Sequence, residues 1–381
     1  MTSGEAFDAE VAVVGAGVVG LAIAARLAAE RSVVVIERHE GIARETSSHN
    51  SGVVHAGIYY PTDSLKHRLC IEGNAALQEW CEARDVPLLR AGKLIVAFAE
   101  EERAGLDEVH AQATANAVPG IERLTGEQAR ALEPAVPVVE AIHSATTAVV
   151  DAYAYARSLE AEARAQGTLF AFRHRVVGAT RVEGGFELSM RDADGDFSTL
   201  RCAALVNSAG LHAPDLAEAL GYPLDGDPAS DVPVMRQRVN VGRYYDIVNP
   251  ALAGSVSRPV YPLPDHRAGG LGLHLTVDTD GGTHIGPSTE WVEDGISLDY
   301  RNDDSWRERF LEAGRRFLPT LTAQDIAPGQ VGYRPKLQRP GEGMADFLIW
   351  HDRGYVHLGG IESPGLTASL PIAREVAGLL R

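Results

Sequence analysis

Lysine is the scarcest charged residue of this 381-residue chain: Lys66, Lys93 and Lys336 are the only three, and arginine supplies the rest of its 35 basic side chains. Against 52 acidic residues that leaves a formal net charge of −17. A surface so balanced lacks the basic stripe that holds a phosphate backbone, so nucleic acid is excluded as the main partner. It also disfavours docking onto anionic lipid. Cysteine is as scarce. Cys70, Cys81 and Cys202 are odd in number and lack CxxC spacing, so neither a disulfide framework nor a structural zinc site is expected. No apolar run reaches the roughly 20 residues of a membrane-spanning helix, and Met1–Glu10 is too polar and acidic for a signal peptide. The expectation is a soluble cytoplasmic protein, at most peripheral to the inner face of a membrane. GxSxG, HExxH and the P-loop are missing too. Hydrolase and kinase chemistry therefore lacks its nucleophile elbow, metal pair or phosphate cradle, and no metal is expected.

What is present is a core. Hydrophobic residues make up 45% of the chain and charged residues 23%, enough for two units of about 150 residues each. Glu10–Val14 reads as a short strand, Leu21–Glu30 as a helix and Val33–Ile36 as a second buried strand. Between the first strand and the helix stands Gly15-Ala16-Gly17-Val18-Val19-Gly20. In a dinucleotide-binding turn the first glycine makes the bend, the second lets the pyrophosphate approach and the third lets helix and sheet pack closely. Glu37 ends the second strand, where a carboxylate accepts ribose hydroxyls and disfavours a 2′-phosphate, and Arg38 follows it.

Helices are expected over Leu77–Arg84, Glu100–Ala117, Ala152–Ala165, Asp303–Phe317 and Ser369–Leu380. Thr125-Gly126-Glu127-Gln128 has capping-box spacing ahead of another, short helix that Pro134 stops. Phe186–Met190 and Thr199–Cys202 flank the hairpin signal Asp194-Gly195. Leu205–Asn207 reads as a short strand running into Ser208-Ala209-Gly210, and Tyr355–Leu358 as the last strand. From about Asp225 to Tyr300 the pattern is strand-rich. Two further polar or glycine-rich stretches draw notice. One is the loop Glu45–Gly52, with Thr46, Ser47, Ser48, Asn50 and Ser51; the other is the turn Gly359–Thr367. Each suits backbone and hydroxyl donors to a flavin or pyrophosphate, and each also reads as an ordinary connection.

Taken together, Val11–Arg38, His49–Asn74, Ala91–Val96, Val260–Thr276, Gly332–Leu337 and Gly359–Ala373 resemble the D-amino-acid-oxidase-like flavoproteins. Within that family they are similar to the L-2-hydroxyglutarate dehydrogenases and oxidases, and the run His49–Tyr60 is the most specific match. The chain is shorter than those enzymes between Gly286 and Gly332. The resemblance implies an α/β fold: a Rossmann-like FAD-binding domain, discontinuous in sequence, beside an antiparallel β-rich substrate domain. The expected boundaries are 1–85, 145–225 and 330–381 for the FAD domain, and 86–144 with 226–329 for the substrate domain. It also implies non-covalent FAD, held by Gly15, Ala16, Gly17, Gly20, Glu37, Arg38, Thr46, Ser47, Ser48, Asn50, Ser51, Val177, Ser208, Ala209, Gly210, Gly360, Ile361, Pro364, Gly365, Leu366 and Thr367.

The chemistry so implied is oxidation of a small 2-hydroxy acid, with L-2-hydroxyglutarate the leading substrate. The flavin takes a hydride from the carbinol carbon, while the protein supplies a base for the hydroxyl proton and a cation for the carboxylate. His274 is the expected base. In Leu271–Val277 the aliphatics alternate, which puts His274 and Thr276 together on the other face of a strand. Arg334 carries a planar fork suited to the carboxylate. His55, inside the flavin-proximal motif, either contacts the isoalloxazine or holds the loop. Lys66 and Lys336 are expected to bind substrate, and Tyr60 and Tyr261 to wall its pocket. Three other functions remain open on the residues alone: oxidation of an amino acid or secondary amine, an NAD-dependent dehydrogenase, and a non-catalytic flavin-binding redox module. Residue types do not distinguish oxygen, a quinone or a carrier protein as electron acceptor.

Overall fold

The structure is a computed structural model that describes residues 7–264, 272–293 and 298–381. Residues 1–6 of the acidic N-terminus, and Leu271 at the head of the strand expected to carry His274, lie outside the described residues. The chain forms two compact units, each from separated segments: Met1–Ser48, Ala152–Val239 and Arg334–Arg381 make the first, His49–Asp151 and Asn240–Tyr333 the second.

An eight-stranded mixed sheet organises the first unit. Ala9–Val14 lies parallel between Val33–Ile36 and Phe197–Asn207, with Leu169–Ala171 and Tyr355–Gly359 parallel outside these. Strands covered on both faces read as unbroken apolar runs, and Val11, Ala12, Val13, Val35 and Ile36 are buried accordingly. The helix is Val18–Leu27, starting three residues earlier than expected. It is apolar around most of its girth and packs against helices Ala152–Ala165 and Ser369–Leu379. The expected hairpin is present as Gly185–Asp192 with Phe197–Asn207. Leu205–Asn207 is not a separate strand but the end of that 11-residue one. Ala203 and Ala204 carry no turn signal, so the strand runs on, pairing Phe186 with Cys202 and then Val13 with Val206.

The second unit is built on a nine-stranded sheet and a small three-stranded one. Lys93–Ala97 pairs antiparallel with Glu140–Ser144 and parallel with Val260–Tyr261, which is antiparallel to Leu275–Val277. One face of this sheet buries Leu94, Val260, Leu275 and Val277 against Phe310, Leu311 and Phe317 of the helix Arg307–Phe317. The capping box forms as read, Thr125 and Gln128 each bonding the other's backbone ahead of Gly126–Leu132. The first helix of this unit is longer than expected, Leu65–Glu82, capped by Ser64. Its inward face carries Lys66, His67, Gly73 and Asn74, which hid its amphipathic pattern. The units break after Ser48 and Asp151, inside segments expected as 1–85 and 145–225. Residues 49–85 join the second unit because Val53 pairs with Val149, while Asn74 ties the helix to the carbonyls of His55 and Thr146.

Candidate active site

In the first unit the turn after Ala9–Val14 is made of backbone. Gly15 adopts φ +105°, and a Cβ there would stand 2.6 Å from the Ser208 carbonyl oxygen. At Gly20 a Cβ would stand 2.0 Å from the Gly15 oxygen, so only glycine lets this helix sit so close to the strand. Gly17 is the helix N-cap and has no side chain to cap with. The N–H groups of a helix's first turn have no acceptor within the helix. Here Val18 N–H donates to Ser47 Oγ at 3.0 Å. Glu37 is buried at the end of its strand, where Oε2 accepts Ala16 N–H and Oε1 accepts His39 N–H, each at 2.8 Å. Each oxygen keeps a second lone pair for a hydroxyl donor. A glycine-paved turn, a helix N-terminus and a carboxylate fixed beside them fit the pyrophosphate and ribose of FAD.

The remaining expected cofactor residues divide by unit. Arg38 and His39 both pair with Glu45, which burial opposes but their charge and hydrogen bonds hold ionised. Thr46 is half-buried, and Ser48 is bonded to the Glu45 carbonyl. Ser208 Oγ donates to the Val14 carbonyl at 2.9 Å; Ala209 follows, and Gly210 turns with φ +57°. Val177 is an exposed residue at a bulge of the strand His174–Val182. In the last turn Gly360 has φ +63° and donates to Gln237 Oε1 at 2.7 Å. Pro364, Gly365 and Thr367 are buried, with Ile361 and Leu366 half-buried. Lys336 is bonded through Nζ to both oxygens of the buried Glu362, at 3.0 and 2.8 Å. Arg334 is half-buried on the strand Ile326–Lys336. Asn50 and Ser51 belong to the second unit, where Asn50 Oδ1 accepts Gly52 N–H.

The second unit gathers a set of basic and aromatic side chains on the sheet face opposite its core. Since Leu94, Val260 and Leu275 are neighbours in register and point into the core, Lys93, Tyr261 and His274 share the other side. His274 is buried, with its ring 3.7 Å from that of Tyr261 and nearly parallel to it. Its Nδ1 stands 2.9 Å from the Gly272 carbonyl, so in the neutral ring Nδ1 carries the proton and Nε2 is the acceptor. His274 and Thr276 share a face, as the alternation requires, and both are buried. Thr276 Oγ1 has no hydrogen-bond partner among the described residues.

His55, Tyr59 and Tyr60 reach this region on a loop pinned by two buried asparagines. Asn74 Nδ2 donates to His55 O at 3.0 Å, and Asn116 Nδ2 donates to Gly57 O and Tyr60 O at 2.8 and 2.9 Å. Burial, with Lys93 and His274 nearby, pushes the His55 imidazole down to about 3, so it is neutral. Tyr60, Tyr261 and Lys66 are all buried, Lys66 on the helix Leu65–Glu82. Lys93 is the residue that the sequence reading passed over. It is 1% exposed, and its Nζ lies 4.4 Å from the centre of the Tyr261 ring and 4.9 Å from that of Tyr59. Burial draws its ammonium down to about 7. Every residue of its strand Lys93–Ala97 is buried, so no alternation along the sequence sets it apart.

Three comparisons bear on these two regions. The family model described as FAD dependent oxidoreductase matches residues 10–379. The L-2-hydroxyglutarate dehydrogenase of Arabidopsis thaliana mitochondria is 35% identical over 97% of this chain and 82% of its own length. That of Indibacter alkaliphilus is 27% identical over 97% and 98%. Among solved structures, the L-α-glycerophosphate oxidase of Mycoplasma pneumoniae with FAD bound superimposes with a TM-score of 0.84. It is 26% identical and covers 98% of this chain and 94% of that one. Fingerprint turn, fixed carboxylate and a match running almost end to end agree: the chain belongs to the FAD-dependent oxidoreductase family and is a flavoenzyme.

Proposed function

We propose that this flavoenzyme oxidises a small 2-hydroxy acid, with L-2-hydroxyglutarate the leading substrate. The observation that carries the reading is the buried pair Lys93 and His274 on one face of the second unit's sheet, with the half-buried His55 on the pinned loop beside them, together with relatives named for L-2-hydroxyglutarate. Bound FAD supplies the hydride acceptor. His274 takes the hydroxyl proton at Nε2, since the Gly272 carbonyl fixes the opposite nitrogen as the donor. The stacked Tyr261 ring holds the imidazole plane and keeps water from its face. His55, neutral throughout the working range, adds a polar edge without a competing charge. Arg334 binds the carboxylate through its fork. The first unit holds FAD through Gly15, Gly17, Gly20, Glu37 and the turns at Ser208–Gly210 and Gly360–Thr367.

Anaerobic mixing of the yellow protein with L-2-hydroxyglutarate, other 2-hydroxy acids, amino acids and glycerol 3-phosphate tests this. L-2-Hydroxyglutarate is expected to bleach the oxidised-flavin band fastest. Bleaching by amines alone, or by glycerol 3-phosphate alone, would overturn the substrate class.

A further inference from the structure

Lys93 stands in a surrounding that ordinarily rejects a lysine. It is almost wholly buried, and among the described residues no carboxylate and no hydrogen-bond acceptor meets its Nζ. A charged amine without a counter-ion is costly there, whereas an uncharged one is tolerated. The titratable groups facing it come from three elements: His55 and Tyr59 from the pinned loop, Cys70 from the helix Leu65–Glu82, and Tyr261, on which His274 stacks, from its neighbouring strand. None of these is an acid at neutral pH, since burial pushes the Cys70 thiol and both tyrosine hydroxyls upward. The two tyrosine ring faces offer an electron-rich surface to an ammonium. Tyr59 OH is itself buried with no hydrogen-bond partner among the described residues. The cluster thus holds an amine short of a negative charge, beside a phenol short of an acceptor.

A carboxylate supplies both. We propose that Lys93 pairs with the second carboxylate of the substrate, the one not given to Arg334, and that it takes up a proton from solvent when that anion binds. At pH 7 the amine is only about half charged before the anion arrives and becomes fully ammonium beside it, so the added charge enters the buried site as one member of a matched pair. The hydroxyl of Tyr59 donates to the same carboxylate. This rests on the hydroxy-acid reading and deepens it: the site selects anions, and its affinity for them is linked to pH.

The linkage is read without turnover. Glutarate has both carboxylates of the leading substrate and no hydroxyl to oxidise. Its binding to the FAD-loaded protein is followed by calorimetry in buffers of differing ionisation enthalpy, which counts protons exchanged. Wild type is expected to take up about half a proton at pH 7, rising toward one at pH 8 and falling toward none at pH 6. Lys93→Met is expected to bind glutarate roughly 30-fold or more weakly and to lose the uptake. Lys93→Arg carries a permanent charge and is expected to bind without uptake. Wild-type binding with no proton exchange from pH 6 to 8 would overturn the proposal, needing no variant. So would uptake that persists in Lys93→Met, which would move the proton to a histidine. Failure of wild type to bind glutarate at all would overturn the hydroxy-acid reading, and this proposal with it.

Discussion

The two regions that make this flavoenzyme are built from different materials. The dinucleotide turn is backbone: three glycines, a helix N-terminus and one carboxylate that each hold their place through main-chain bonds. The basic cluster of the second unit is side chain: His55, Tyr59, Lys93, Tyr261 and His274, drawn from segments far apart and set together by sheet register and two asparagines. A backbone site fails at once when a single Cβ is added, whereas a side-chain site fails in graded steps that report what each group does.

The largest expected effect tests the second kind of site. His274→Ala is expected to leave the protein yellow and to slow anaerobic flavin reduction by roughly 10²–10⁴-fold, the usual worth of a positioned base. Stopped-flow bleaching of the flavin band measures it, and a near wild-type rate would remove His274 from the chemistry. Gly15→Ala tests the first kind. The new methyl meets the Ser208 carbonyl, at a φ that L-residues rarely adopt. FAD affinity is expected to fall roughly 100-fold, read by flavin retained after gel filtration. Smaller is Glu37→Gln, which sets an amide N–H₂ against one of two backbone N–H donors. About a tenfold loss of FAD affinity is expected, with flavin reduction unchanged once the cofactor is saturating. Equal affinity would take Glu37 out of the ribose site.

The smallest effect concerns stability and not catalysis. His284 donates from Nδ1 to Asp246 at 2.7 Å and from Nε2 to Asp278 at 2.6 Å. Burial opposes its charge, but the two carboxylates outweigh burial and raise the imidazole to about 9. The folded value lies above the ordinary 6.5, so the stabilisation is complete below about pH 6.5 and is lost as pH rises toward 9. Both aspartates are nearly half exposed, so solvent screening leaves on the order of 1–2 kcal/mol. Thermal melts of wild type and His284→Asn are expected to differ most near pH 6 and to converge by pH 10.

How far the fold and the site were legible follows from the same contrast. Glycines at 15 and 20 can be read because each answers a steric demand that no other residue meets, and the spacing that includes Gly17 is set by one turn. His274 could be read because its strand alternates, and the structure keeps its aliphatic neighbours in the core. Lys93 could not. Its strand neighbours are uniformly apolar, and what makes it notable, two tyrosine faces and no carboxylate, depends on residues 59 and 261. The front half of the helix Leu65–Glu82 was missed for a related reason. Lys66, His67 and Asn74 face inward there, so polarity no longer marks the solvent side. The strand Phe197–Asn207 was read as two because it changes partners midway, which no local pattern records.

That strand also sets a timetable for synthesis. Ala9–Val14 has Val33–Ile36 beside it within two dozen residues of synthesis. Its other neighbour is the far end of Phe197–Asn207, and the helix that packs on Val18–Leu27 from the C-terminal side is Ser369–Leu379. At translation rates of about 5–20 residues per second, the first strand waits roughly 10–40 s with one long edge open. For that interval an apolar strand edge is exposed to chaperones and to other nascent chains. Expression yield should therefore respond to growth temperature and to chaperone supply more steeply than the stability of the finished protein would suggest.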